Sequence, residues 1–229
     1  MILIIIVSNI MLRLNFYKLN TKKNFHDFIK SILVASSDIE KGFIQPLEHK
    51  EDSIHAFFYL KILIEEKISD PFGGSEKITY YSYQKIEFLI YKINEHVVLV
   101  IKDQPKSIKQ FIDYLKQNDS LFFSLNNFKI DMERLFDRKI FKIIKAKFTD
   151  VELSNNAFAN IEIHSTGNAL NDFEVLRLKG SKKLTKVKII EDFDDIYFEC
   201  EFNEKASFSL KIDYLNLKLI RHIFDSYLL

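Results

Sequence analysis

The strongest constraint on the fold lies near the end of the chain, where two neighbouring segments alternate strictly between apolar and polar residues. In 196–203, Ile196, Phe198, Cys200 and Phe202 fall on one side and Tyr197, Glu199 and Glu201 on the other. In 206–213, Phe208, Leu210 and Ile212 oppose Ser207, Ser209 and Lys211. Strand side chains point to opposite faces with period two, so each segment has one face to bury and one to wet. Antiparallel sheets tolerate that arrangement, whereas parallel ones are covered on both sides. Further segments rich in β-branched and aromatic residues predict strands at Leu12–Leu19, Ile54–Ile68, Val97–Lys102, Lys139–Leu153, Phe173–Lys179 and Leu184–Ile190. Lys77–Ile93 is long enough for one bent strand or two.

Three stripes repeat with helical spacing instead. Phe25, Phe28, Ile29, Ile32 and Leu33 follow Thr21, which is placed to cap a helix. Ile108, Phe111, Ile112 and Leu115 follow Pro105, which suits a first helical residue. Leu219, Ile220, Ile223, Phe224, Tyr227 and Leu228 mark a terminal helix over 214–229. Between these elements, Ser36–Ser53 with Gly42 and Pro46 reads as a connection, and Asp70-Pro71-Phe72-Gly73-Gly74 as a turn. Asn155–Asp172 is weakly patterned, and a short helix is expected around Asp131–Arg138. The fold class is therefore α+β: antiparallel meanders, each followed by an amphipathic helix.

The chain can bury a real core. Its 229 residues are 47% hydrophobic, with 22 Phe, 10 Tyr and no Trp, enough for one large domain or two small ones. The first twelve residues, MILIIIVSNIML, lack the cationic start and small-residue cleavage site of a signal peptide, and are too short for a membrane span. They read as a buried first strand or as residues ahead of a start at Met11, with a short membrane anchor as the third alternative. No membrane is expected. The single cysteine, Cys200, excludes an intramolecular disulfide and a cysteine-based zinc site, and points to a reducing cytoplasm.

An internal duplication is the main organisational expectation. IYKINEHVVLVIKDQPKSIKQFIDYL (90–115) and FECEFNEKASFSLKIDYLNLKLIRHIFDSYL (198–228) both run strand, Asn-Glu turn, strand and amphipathic helix. Duplication divides the chain into related units at 11–118 and 119–229. Two unrelated hairpin–helix units would give the same order. The second half also lacks an obvious early helix. The order of elements is similar to one repeat of the TATA-box-binding protein fold. That resemblance implies two repeats forming a curved antiparallel sheet with helices on its convex side. It covers topology alone, carries no motif residue, and says little about function.

Functional chemistry is sparse. The 33 basic and 32 acidic residues nearly cancel, so a nucleic-acid role has to rest on local patches. Two such patches exist: Arg138, Lys139, Lys142, Lys145 and Lys147, and Lys179, Lys182, Lys183, Lys186 and Lys188. They could neutralise phosphates beside aromatic rings that stack on bases. The opposing reading is a solvated face, favoured by lysine over arginine and by the acidic run Glu191, Asp192, Asp194, Asp195, Glu199 and Glu201. Asp52, Glu65 and Lys67 form a minimal Mg²⁺-nuclease pattern. The six histidines, His26, His49, His55, His96, His164 and His222, show no ligand spacing, and Cys200 is expected to be a buried, inert thiol. No metal or cofactor is expected.

The leading expectation is a non-catalytic binding or scaffold protein acting through a protein partner or as a homo-oligomer. A nucleic-acid module on the lysine strands comes second, and a nuclease third. The bias to Lys, Asn, Ile and Phe is compatible with an AT-rich genome and a microbial accessory protein.

Overall fold

Alternation and β-branching produce long strands, and the helical stripes seat helices on them. The structure is a computed structural model that describes residues 10–35, 41–69, 71–116, 123–136, 142–154, 157–175, 182–212 and 216–228. The architecture is mostly antiparallel sheet with a few helices, which is consistent with the α+β class. The chain divides into two compact units, one of 17–126 and one combining the N-terminal residues through Phe16 with 127–229. Strand β1 (Ile10–Thr21) contributes to both.

In the 17–126 unit the order of elements is β1, α1 (Phe25–Ala35), β2 (Gly42–Lys50), β3 (Ser53–Ser69), β4 (Ser75–Ile93), β5 (His96–Lys102), α2 (Lys109–Lys116) and β6 (Phe123–Asn127). The sheet order is β2-β3-β4-β5-β1, with β6 beside β1. One face carries Ile54, Ala56, Phe58, Leu60, Ile86, Phe88 and Ile90, packed with Phe28, Ile29 and Ile32 of α1 and Phe111 and Leu115 of α2. Truncating a ring such as Phe58 to Ala would cost about 3–5 kcal/mol.

Three local expectations change here. The segment read as a connection is strand β2, whose register shifts between Pro46 and Glu48. Proline lacks an N–H, and this edge strand accommodates it at a bulge. Lys77–Ile93 lies within one unbroken strand, β4. Helix α1 is capped by Asn24, whose Oδ1 accepts the Asp27 N–H at 2.9 Å, while Thr21 accepts from Lys23. At the start of β2, Gly42 lies so close to β3 that a Cβ would stand 2.5 Å from the Tyr59 carbonyl oxygen.

The other unit adds to the first part of β1 a 3-10 turn (Glu133–Phe136), β7 (Lys142–Ser154), β8 (Ala157–His164), α3 (Ala169–Val175), β9 (Lys183–Phe193), β10 (Ile196–Asn203), β11 (Ser207–Ile212) and α4 (Leu217–Tyr227). Its sheet order is β1-β11-β10-β9-β7-β8. Phe198, Cys200, Phe202, Phe208 and Leu210 are buried, as are Leu219, Ile220, Ile223 and Phe224 of α4. Asp194 and Asp195, both at positive φ, make the two-residue β9–β10 turn, the primed geometry that matches strand twist.

The expected strand at Phe173–Lys179 is instead the end of α3, as far as the described residues run. Asn168 accepts the Leu170 N–H at 3.0 Å and starts this helix. The ring of Phe173 then stacks on Phe148 with centroids 3.7 Å apart. Strand β8, in the weakly patterned stretch, is a further addition.

Candidate functional site

The most unusual surface belongs to the 17–126 unit and follows from the parity of β3. Ala56, Phe58 and Leu60 enter the core, so Phe57, Tyr59 and Lys61 point the other way. Antiparallel register then sets Phe57 opposite Glu87, Tyr59 opposite Lys85 and Lys61 opposite Tyr83. Phe43 of β2 pairs with Tyr59. The Phe43 and Tyr59 rings stack at 4.9 Å, and Phe43 meets Tyr83 edge-on at 6.5 Å. Lys85 Nζ lies 3.4 Å from the Phe57 ring centroid, and Lys61 Nζ 4.1 Å from that of Tyr81. Tyr81 and Tyr83 are exposed, while Phe43, Phe57 and Tyr59 are half-buried.

The charges on this face do not cancel. Each glutamate already has a lysine: Glu48 with Lys50 at 2.7 Å, Glu65 with Lys77 at 2.7 Å, and Glu87 with Lys102 at 3.0 Å. Glu87 also meets His55 at 3.0 Å. Lys61, Lys67 and Lys85 have no carboxylate partner among the described residues.

Beyond Leu60 and Ile86 the β3–β4 hairpin continues as an arm in which none of the described residues is fully buried, Ile62 at its root being partly buried against the core. Its pairing stays in register through Ser69 and Ser75. Leu63, Ile68, Ile78, Tyr80 and Tyr81 are exposed along it, and Phe72 at the tip is 97% exposed. Tyr80 donates to Glu66 at 2.9 Å, and that bond to a carboxylate raises the phenol's pKa.

The predicted lysine strands lie in the other unit and are mostly ion-paired. Lys145 and Lys188 are Cα partners on β7 and β9, as are Lys147 and Lys186. Strand β10 sets Glu199 and Glu201 beside them. Lys188 bonds Glu199 at 2.5 Å, Lys186 bonds Glu201, and Lys145 reaches Glu162 at 3.0 Å and Glu201 at 3.8 Å. Lys183 pairs with Glu204 at 2.8 Å, and Lys182 Nζ lies 4.9 Å from the Phe173 ring centroid. Lys142 and Lys147 have no carboxylate partner among the described residues. Arg138, Lys139 and Lys179 lie outside the described residues. Hydrogen bonds from lysine and histidine hold three of these carboxyls below their usual range: Lys188 acts on Glu199, His164 and Lys145 on Glu162, and Lys183 on Glu204.

Other candidate chemistry separates in space. Asp52 precedes β3 and Glu65 lies thirteen residues along it, roughly 40 Å at strand rise. The nuclease pattern is therefore not assembled by these residues. Among the described residues no group of three or more His, Cys, Asp or Glu could hold a metal ion. Cys200 is fully buried, and burial pushes its thiol well above the usual value, which keeps it protonated and unreactive.

One polar cluster is not legible in the sequence. Glu191 of β9 is buried and accepts from Tyr227 Oη at 2.5 Å, with His222 Nε2 at 2.8 Å. Phe193 stacks on the His222 ring at 3.9 Å. Ser226 Oγ lies 3.4 Å from His222 Nδ1, but it sits one helical turn from His222 inside α4. There the neighbouring backbone N–H groups serve the helix rather than a substrate. A buried carboxylate needs such donors to be tolerated, so the cluster pins α4 to β9.

Among the described residues, no helix is long and apolar enough to cross a membrane. No family model matches the chain, and no curated protein matches it either.

Proposed function

We propose that the chain is a non-catalytic binding protein that works through a macromolecular partner, a protein or a second copy of itself, docked on the β3–β4 arm. The observation that carries this reading is the arm itself. Ordered strands that keep seventeen residue pairs in register extend past the core with Leu63, Ile68, Ile78, Tyr80 and Phe72 exposed. Ile68, Ile78 and Tyr80 share one face of the hairpin and Leu63 and Tyr81 the other; exposed apolar surface often marks an interaction site, and a hairpin offers both faces and an edge to a partner. A protein working in the cytoplasm is consistent with the single thiol. The meander and helix of each unit, β2–β5 with α2 and β9–β11 with α4, support a reading of duplication. Backbone superposition of β4-β5-α2 on β10-β11-α4 tests that reading, and unrelated helix placements would reject it.

The binding reading is tested by light scattering and by quantitative co-purification at native expression. Wild type is compared with a variant carrying Phe72→Ser and Ile78→Lys. Self-association or a stoichiometric protein partner that the variant loses, at unchanged melting temperature, supports the arm. An identical mass and an identical set of partners for both proteins overturns it.

The lysine strands of the other unit give the second reading, nucleic-acid binding at Lys142, Lys145, Lys147, Lys182, Lys183, Lys186 and Lys188. Four of these seven lysines, Lys145, Lys183, Lys186 and Lys188, already pair with Glu162, Glu204, Glu201 and Glu199, which lowers the charge offered to phosphates and ranks this reading below the arm.

A further inference from the structure

We infer that the face of the 17–126 sheet formed by Phe43, Phe57, Tyr59, Tyr83, Lys61 and Lys85 is a binding site for single-stranded nucleic acid. This goes beyond the docking of a protein at the arm's tip: the face shares the root of the arm through Lys61, Tyr83 and Lys85, but not Phe72 or Ile78. Bases stack on the rings, and the phosphates between them meet the lysines.

Three observations converge on that occupant. The rings form a continuous set on three adjacent strands, from Phe43 on β2 through Phe57 and Tyr59 on β3 to Tyr83 on β4. They are only partly covered, and Tyr83 is exposed, so aromatic surface is open to solvent even though Phe43 and Tyr59 stack on one another. Every base has such a face, which makes stacking tolerant of sequence. The charge is complementary as well. All three glutamates of the face are held by their own lysines, which leaves Lys61, Lys67 and Lys85 as net positive charge. Lys61 and Lys85 lie over rings at 4.1 and 3.4 Å. A base sliding onto either ring displaces an ammonium group toward the adjoining phosphate, and the cation–π contact given up is weak at an exposed site.

A duplex hides its base faces in the stack, so it cannot use the rings. A purely acidic protein partner would use the lysines without needing the aromatics. The two kinds of group together favour an unpaired strand.

Fluorescence anisotropy of the full chain with labelled oligothymidylate and oligouridylate of about twelve nucleotides, a length on the scale of known single-strand sites, tests the proposal. The duplex of the same sequence and heparin serve as controls. The expected result is salt-dependent binding of the single strands in preference to duplex. Tyr83→Ala or Tyr59→Ala weakens it about tenfold. Lys61→Gln with Lys85→Gln weakens it and flattens the salt dependence. Lys186→Gln with Lys188→Gln leaves it unchanged. The DNA and RNA arms show which strand is preferred, and either preference supports the site. Four results overturn it: no binding at low salt, equal affinity for duplex, heparin binding with the same variant pattern, or loss through Lys186 and Lys188 instead. Because Tyr59 is half-buried, its variant counts only if its melting temperature matches wild type. Tyr83→Ala, at an exposed position, carries the test if it does not. Loss of the arm partner through Phe72→Ser is read independently, so either proposal can fail alone.

Discussion

Both units place lysines on a sheet face turned away from the core, yet the two faces surround those lysines differently. On β7, β9 and β10, lysines and glutamates alternate across strands until most of the charge is internal to the sheet. On β3 and β4, lysines outnumber glutamates and rest on aromatic rings. The first face pairs most of its lysines with glutamates. The second holds charge and stacking surface that nothing in its own unit uses up. Lysine density alone therefore says little about anion binding, because the residues across the strand decide it.

The comparison can be broken most forcefully at Gly42. Gly42→Ala forces a Cβ against the Tyr59 carbonyl, which separates β2 from β3 and unstacks Phe43 from Tyr59. A loss of about 1–3 kcal/mol is expected from such overpacking, read as a lower melting temperature. The aromatic face should lose oligonucleotide affinity with it. Unchanged stability would mean that β2 yields freely and that the ring stack does not depend on it.

A double change, Glu199→Gln with Glu201→Gln, should convert the neutral face into a basic one. Lys186, Lys188 and Lys211 lose their carboxylates. The stability cost is modest, on the order of 1 kcal/mol per partly exposed pair. The informative readout is new heparin binding that wild type lacks at these strands. If none appears, the lysines were not held neutral by their partners.

Acid should separate the faces next. Glu162, Glu199 and Glu204 have folded pKa values below the usual carboxylate value. The stabilisation they give is fully present above the unfolded carboxyl pKa, about 4.3, and is lost as pH falls through their lower folded values. Amide protection, relative to the intrinsic exchange rate at each pH, should therefore fall in β7–β10 below that pH before it falls in β3–β5. The reverse order would contradict the pairing.

The smallest effect is expected at Lys85→Gln. A cation–π contact at a partly exposed site is worth about 0.5–1 kcal/mol, so the melting temperature should barely move while nucleic-acid affinity falls. A large stability loss would make Lys85 a structural residue and dissolve the contrast.

The parts visible in the sequence were those governed by local periodicity. Alternation in 196–203 and 206–213 marked β10 and β11 because one face is apolar and the other polar. Strand β2 was hidden because Pro46 is tolerated only at the bulge of an edge. Helix α3 was hidden because Ala169, Leu170 and Phe173 make too short a stripe. The lysine clusters were plain in the sequence, but their neutralisation depends on which residue of β10 faces which residue of β9, and register is a tertiary property. The aromatic face was missed for the opposite reason. In Ala56–Leu60 both parities are apolar or aromatic, so no alternation shows that Phe57 and Tyr59 turn away from Phe58. Likewise Glu191 and His222 lie far apart in the chain, and only the packing of α4 on β9 joins them.

The arm between Leu60 and Ile86 is secured at one end. Beyond that root its nine paired positions, roughly 30 Å of strand, have cross-strand hydrogen bonds, and past Ile62, which still packs against the core, little side-chain burial holds them. Such a ladder opens from the loose end, because each pair nearer Phe72 has less beneath it to lose. Hydrogen exchange along β3 and β4 should then fall as a graded series from tip to root rather than as one block. A partner that grips the tip would abolish the gradient, turning a hairpin that frays in free solution into a strut.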